Sequence, residues 1–420
     1  MVLLPDLSPS PVLGKIAVKL KNKALASVRN EDFRIYETSI EHLSKKGCAG
    51  ETAVLFDKKQ KFAGAGLYDP YSPVAVKVLI NSPKLPPVGR ELFHYRIREA
   101  LALRAGKLPP ETDGFRILHG ESDFFPGLVA DQYGESLVLK VYSSIWFPFL
   151  PLLADLLKEE LPHLENCVVR LSREMALLQE EVRYGFTDGV AFCKGVSAPD
   201  WEAKVLFREN GITFEADLIR GQKTGFFLDQ RDNRFKVSTL ARGKKILNLF
   251  SYSGGFSLSA AKGGAKEVWD VDFSKYAIVE SERNFARNLH FSSVKHCHHK
   301  GITGDAFEVM TELGKKGELF DMVIIDPPSF AKSAAEKEKA LYSYGMLAKL
   351  GAALLRKGGI MVFASCSSRV RAEDLFPHIE EILTKNGYGR EVFCETEHAI
   401  DHPARFPESK YLKCQYARIF

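Results

Sequence analysis

The stretch Asp321-Met-Val-Ile-Ile-Asp-Pro-Pro-Ser-Phe330 decides how the chain is read. Met322 to Ile325 is a short apolar run of the kind that forms a strand buried on both faces. It stops at Asp326, because neither Pro327 nor Pro328 can donate to a ladder. In an open parallel sheet, ligands sit just beyond the carboxyl ends of the strands. A carboxylate held there on a stiff backbone can hydrogen-bond a flat polar ligand while Phe330 stacks on it. The same acid also reads as a cap for the following helix, so its neighbours decide.

Around this stretch, strands and helices alternate. Residues 244–250 form an apolar strand (Ile246, Leu247, Leu249), followed by a glycine turn at Gly254-Gly255 and a helix over 256–262. A second strand over 267–272 precedes a helix over 274–289. Residues 298–303 read as a third strand, with Asp305 opening a helix toward Leu313. After the quoted strand come a long helix (334–355), a fifth strand (358–365), a helix (372–385) and two last strands (391–396 and 411–420). This alternation predicts an α/β fold with a doubly wound parallel sheet. The last two strands, joined without a helix, predict an antiparallel end.

The first half has a different texture. Residues 1–12 are rich in proline and read as loose. From Lys15 to Lys21 the residues alternate, so that Ile16, Val18 and Leu20 face a core. Lysines 15, 19, 21 and 23 look outward, toward phosphates or plain solvent. Further runs at 52–56, 61–67 and 74–80 complete a small β-barrel. A linker over 83–90 leads to an amphipathic helix over 90–106 with Leu92, Ile97, Ala100 and Leu101 on one side. Strand-like residues over 115–134 are broken by turns at Pro126-Gly127 and Tyr133-Gly134; a strand (137–142), a helix (146–161), a strand from Val168 and a mixed segment to about residue 200 follow. The chain therefore divides into a barrel (1–85), a central α+β domain (90–204) and a catalytic domain (205–420).

Composition sets bounds. The 420 residues suffice for several cores, and 45% hydrophobic with 26% charged residues is ordinary for a globular protein. A net charge of +5 permits an anionic partner without demanding one. Seven scattered cysteines without a Cys-x-x-Cys pair argue against a disulfide framework or structural zinc and for the cytoplasm. No signal peptide or run of about 18 apolar residues is present, so no membrane role is expected. The cluster His296-Cys-His-His299 reads as surface, because residues so close together rarely close a tetrahedral metal shell. No metal is expected.

The turn after the first strand, Asn248-Leu-Phe-Ser-Tyr-Ser-Gly-Gly-Phe256, lacks both the dinucleotide and the NTP phosphate signatures. Its two glycines still let a ligand approach backbone N–H groups. Asp272 at the end of the second strand can accept both hydrogen bonds of a ribose diol, and Asp305 can reach an adenine amino group. The glycine turn, Asp272 and Asp305 together suit an adenosyl ligand without phosphates, and S-adenosylmethionine fits best.

The fifth strand ends Phe363-Ala-Ser-Cys-Ser-Ser368. A cysteine in that crevice is a candidate nucleophile, and the bland alternative is a small buried hydrophobe. Carbon 5 of a pyrimidine attacks a methylsulfonium poorly. Thiolate addition at carbon 6 makes it enamine-like, and Asp326 beside the ring would hold cytosine's N3 and amino edge.

The stretches Gln222-Lys-Thr-Gly-Phe-Phe-Leu-Asp-Gln-Arg231, 248–256, Asp326-Pro-Pro-Ser-Phe330 and Ser365-Cys-Ser-Ser368 resemble the bacterial 23S rRNA cytosine-C5 methyltransferases of the three-domain type. Glu121-Ser-Asp-x-x-Pro-Gly127, Asp131-x-Tyr-Gly134, Asp401-His-Pro403 and Pro407-x-x-x-Tyr-Leu-Lys413 look like that family's other signatures, so nearly the whole chain is covered. The resemblance implies a PUA barrel, a central α+β domain and a class I methyltransferase domain with a seven-stranded Rossmann-like sheet. It implies that Thr224, Phe227, Gln230, Asn248, Phe250, Ser251, Tyr252, Gly254, Asp272, Phe273, Asp305, Ala306 and Asp326 line the S-adenosylmethionine pocket. Cys366 is then the attacking thiol. Apart from the resemblance, Phe330 is expected to stack on the unstacked base, and the position of His402, Arg405 and Lys410 in the loop before the last strand predicts contacts to RNA phosphates.

The sequence departs from the family at Asn30-Glu-Asp-Phe-Arg-Ile35, where His-Pro-Trp-Val-Phe is usual, and at Ala340-Leu-Tyr-Ser-Tyr-Gly345. Ser329 stands where another branch of RNA cytosine-C5 enzymes carries a second cysteine. The partner implied is 23S rRNA, naked or partly assembled; a homodimer remains open. Two rivals stand beside this reading. One is methylation of an exocyclic amine such as guanine N2, which leaves Cys366 without a role. The other is a non-catalytic rRNA-binding factor.

Overall fold

The computed structural model describes residues 13–29, 33–82, 84–182, 189–192, 203–331, 333–406 and 409–420. The expectations for residues 1–12, the divergent 30–32, the linker start at 83, the mixed segment near 200 and Pro407 fall outside them. The chain forms two compact units. One holds residues 1–108, 113–207 and 216–226; the other holds 109–112, 208–215 and 227–420.

The first unit carries two sheets. In the six-stranded sheet, Lys15–Leu20 pairs in parallel with Thr52–Phe56 and antiparallel with Ile40–Leu43. Ile16, Val18 and Leu20 are fully buried, as the alternation predicts. The five-stranded sheet contains Gly114–His119, Leu128–Tyr133, Ser136–Val141, Asn166–Leu171 and Gly189–Phe192. One face packs Leu118, Ala130, Leu139 and Val169 against helices Arg90–Arg104 and Leu150–Glu160, in a core that also takes in Leu67 and Leu79. The other face carries charge: Arg116 holds buried Asp131 through two bonds of 2.8 and 2.9 Å.

The second unit is organised by a seven-stranded sheet of β1 (Lys245–Leu249), β2 (Glu267–Asp272), β3 (His298–Thr303), β4 (Phe320–Ile325), β5 (Leu355–Ser365), β6 (Arg390–Thr396) and β7 (Lys413–Ile419). The order is β3-β2-β1-β4-β5-β7-β6. The first five strands run parallel, and β7 lies antiparallel between β5 and β6. Met322, Val323, Ile324 and Ile325 are all fully buried, the result expected of a central strand covered on both faces. Leu347, Ala348, Ile379 and Leu383, from helices Lys337–Ala353 and Ala372–Lys385, belong to the same core. The chain order reverses between β1 and β4, which opens a crevice at their carboxyl ends. Among the described residues, no helix is long and apolar enough to cross a membrane.

Candidate functional site

Strand register brings the site together. Leu249 of β1 is level with Val271 of β2 and with Ile325 of β4, and Ile325 is level with Phe363 of β5. Phe250, Asp272 and Asp326 therefore leave the sheet side by side. Cys366 leaves β5 two residues beyond the level of Asp326, which puts their Cα atoms on the order of 8 Å apart from strand rise and spacing alone.

The turn after β1 is tightly wound. Phe250 (φ 57°) and Tyr252 (φ 48°) take left-handed conformations that non-glycine residues rarely adopt, followed by Gly254 (φ 77°). Tyr252 N donates to Asp272 Oδ2 at 2.9 Å and Ser274 N to Oδ1 at 2.8 Å. One lone pair on each Asp272 oxygen then remains for a diol. Behind the turn, fully buried Asp270 accepts from Asn248, Ser257, Ser281 and His299. Among the described residues, the buried Asn248 Oδ1, Ser251 Oγ and Ser253 Oγ lack hydrogen-bond partners. Unsatisfied polar atoms at a strained glycine turn suit a polar ligand. Phe273 stands 82% exposed beside Asp272, a free ring face at the edge of that turn.

Gly254 is fixed by contact as well as by φ, since a Cβ there would lie 2.0 Å from Ser281 Oγ and 3.0 Å from Asp270 Oδ2. Gly254→Ala is expected to destabilise the second unit by roughly 1–3 kcal/mol, read as a lower urea midpoint. An unchanged midpoint would show that the turn relaxes freely.

Asp305 caps helix Ala306–Lys315, its Oδ1 accepting from Phe307 N at 2.9 Å and Glu308 N at 3.2 Å. It is exposed, Oδ2 takes neither cap bond, and Ala306 is buried beside it. Thr224 belongs to the first unit, where its hydroxyl donates to Asp131 at 2.6 Å and lies 2.8 Å from the Tyr133 hydroxyl. Phe227 packs edge-on to Tyr252, ring centroids 5.2 Å apart.

Asp326 is oriented through a relay that sequence reading did not find. Thr396 Oγ1 donates to Asn233 Oδ1 (2.5 Å), Asn233 Nδ2 to Gln230 Oε1 (2.6 Å), and Gln230 Nε2 to Asp326 Oδ2 (2.9 Å). Beside it, Phe330 packs on Tyr344 at 5.0 Å, an inward role rather than a wholly free stacking face. Ser365 Oγ lies 3.3 Å from the Tyr344 hydroxyl, whose pKa is raised by burial. Cys366 itself is half-buried.

Two sequence expectations need correction. His402 was expected at RNA phosphates. It is only 2% exposed, its Nδ1 lies 3.1 Å from Asp401 Oδ1, and Asp401 accepts from Arg231 at 2.9 Å; a buried imidazole paired with a carboxylate has no surface to offer an RNA. The 296–299 cluster was expected on the surface. Cys297 is buried and His299 stacks on Phe285 at 3.8 Å, so only His296 and His298 face outward. Lys410 is exposed and pairs with Glu397 at 3.3 Å, and Arg405 is exposed. Among the described residues, no group of three or more metal-ligating side chains forms.

Two family models and several known proteins match the chain. Residues 170–376 match the S-adenosylmethionine-dependent methyltransferase family, and residues 18–81 match the PUA-like domain. A ribosomal RNA large subunit methyltransferase of Deinococcus radiodurans is 40% identical over 417 residues, covering 98% of this chain and 99% of its own. Ribosomal RNA large subunit methyltransferase I of Vibrio cholerae is 32% identical over 392 residues, covering 92% and 95%. The crystal structure of SMU.776, a methyltransferase candidate complexed with SAH, superposes with a TM-score of 0.76 at 22% identity, over 97% of this chain and 100% of that one. That structure supports the fold.

Proposed function

Because the chain belongs to the family of S-adenosylmethionine-dependent ribosomal RNA large-subunit methyltransferases, we propose that it methylates carbon 5 of a cytosine in 23S rRNA, in the cytoplasm, through a transient Cys366 adduct. The observation that carries the reading is a half-buried thiol at the carboxyl end of β5, beside the Asp326 that ends β4.

S-adenosylmethionine, when bound, supplies the electrophilic methyl group. The chain's own residues do the rest. Asp272 accepts from the ribose hydroxyls with the lone pairs that Tyr252 and Ser274 leave. Asp305 offers its second oxygen to the adenine amino group, and the edge of the turn after β1 holds the remaining polar contacts. Asp326, fixed by Gln230, accepts from the amino group of a cytosine rotated out of its stack. Unstacking costs a few kcal/mol, and contact with ring faces recovers part of it at about 1–3 kcal/mol per base.

The thiolate of Cys366 places a lone pair into a new S–C6 bond, and the C5=C6 π pair moves toward C5 and N3. The pair at carbon 5 forms the new bond to the methyl group, and the pair of the broken S–CH3 bond would stay on the donor sulfur. A base then removes the C5 proton, the C–H pair restores C5=C6, and the S–C6 pair returns to sulfur. Guanine N2 methylation is less well supported, since it gives the crevice thiol no work.

Nucleoside mass spectrometry of 23S rRNA from cells with and without the protein tests the reading. Loss of one 5-methylcytidine is the expected result. Loss of an N2-methylguanosine, or no change, would sink it.

A further inference from the structure

The sequence offers no reason why the Cys366 thiol should ionise, but a lysine from the other end of the domain supplies one. Lys413 opens β7 opposite Ser365, the last residue of β5. Its side chain is buried, and its ammonium donates to the carbonyl of Ser367 and, at 3.2 Å, to that of Tyr411. A positive charge is thus tied to the backbone one residue past the thiol, in surroundings where charges are weakly screened. Among the described residues, the charged and titratable groups near this pair include Cys414, next to Lys413 and itself buried. Tyr344, on helix Lys337–Ala353, has a phenol kept neutral by burial. Asp374, on helix Ala372–Lys385, is engaged by Lys337 at 2.8 Å. Asp326 ends the adjacent strand, and Arg369 and Arg371 are exposed on the connecting loop. Burial pushes Lys413 down to about 8, while Cys366 and Asp374 act in the opposite direction.

We propose that Lys413 is the fixed cation that holds Cys366 as its thiolate. This deepens the methyl-transfer reading and rests on it for its purpose. The thiol proton goes to solvent, the ammonium keeps its own protons through bonds to two carbonyls, and no bond forms between lysine and substrate. Lys413 acts through the sulfur and is a positioning residue. Expulsion of sulfur from carbon 6 at the end of the cycle returns the thiolate to the same partner.

The test is the pH dependence of Cys366 alkylation by iodoacetamide, read at that residue by mass spectrometry on free enzyme without RNA. The wild-type midpoint should lie clearly below the ordinary thiol value of about 8.5. Lys413→Met should raise it by about one unit or more, a fall in thiolate at pH 7 of roughly tenfold. Lys413→Arg should restore most of the shift. S-adenosylhomocysteine binding checks that each variant is folded. A wild-type midpoint at or above about 8.5 overturns the proposal without any variant, and so does a midpoint that Lys413→Met leaves in place. The readout is independent of turnover. An active Cys366→Ala enzyme would remove the adduct reading, while the alkylation profile would still judge Lys413 on its own.

Discussion

Cys366→Ala is expected to lower methyl transfer by at least about 10⁴-fold while S-adenosylhomocysteine still binds. The separation follows from geometry. The proposed adenosyl contacts lie at the ends of β1, β2 and β3, whereas Cys366 leaves β5 on the far side of β4. Truncating the thiol to a methyl group removes no hydrogen bond from the turn after β1. On the proposed adduct route, what it removes is the means of making carbon 5 nucleophilic, and general-base help cannot replace it because a cytosine has no acidic proton at that carbon. Cys297 is the matched control. Burial first, then Glu267 and Asp270, push its thiol up to about 12, so it stays protonated and inert at neutral pH. Cys297→Ser should leave turnover near normal. An RNA carrying 5-fluorocytosine gives a second readout, because carbon 5 then has no proton to lose and the S–C6 bond cannot be expelled. The wild-type enzyme should form a denaturant-stable complex with it, and the Cys366→Ala enzyme should not. Near-normal turnover of the alanine variant would end the covalent reading.

The sheet was legible because its signals are local. A run such as Met322–Ile325 can be recognised without knowing its neighbours, and β2 and β3 fall on the residues that alternation predicts. Strand-end acids were legible for the same reason: Asp272 and Asp326 each sit where a strand stops. The interactions that orient them were not. Gln230 reaches Asp326 across 96 residues, Thr396 reaches Asn233 across 163, and Lys413 reaches the Ser367 carbonyl across 46. No periodicity encodes such pairs, which exist only once the fold brings distant segments together. His402 misled for a related reason. In sequence it is a basic residue in a loop, and only the fold shows that the loop turns it inward onto Asp401. Arg231, which donates to the same Asp401, stands in the sequence only as the end of a family signature.

Arg231→Met is expected to destabilise the second unit by about 3–5 kcal/mol at pH 7, the usual effect of leaving one member of a buried ion pair alone. Both side chains of the Arg231–Asp401 pair are fully buried and 2.9 Å apart, so solvent screens neither. The exposed carboxylate of Asp232, 3.1 Å from the same guanidinium, adds little by comparison. Burial works to raise the Asp401 pKa. His402 and Arg231 outweigh it and hold the carboxyl far below the usual carboxylate range. A carboxyl with a depressed folded pKa contributes stability that is fully present above its unfolded value near 3.9 and lost only as pH falls through the folded value. The wild-type contribution should therefore persist into strong acid. Methionine at 231 leaves His402 as the remaining partner, so burial gains weight and the folded pKa rises. The stability gap between the two proteins should stay wide from pH 7 to about 5, then close below about 4 as Asp401 takes a proton in the variant. Urea unfolding across that range measures both the gap and its pH dependence. A gap under about 1 kcal/mol at pH 7 would mean that the pair is replaceable by packing alone, and a gap that widened in acid would mean that the carboxylate is not the group being held.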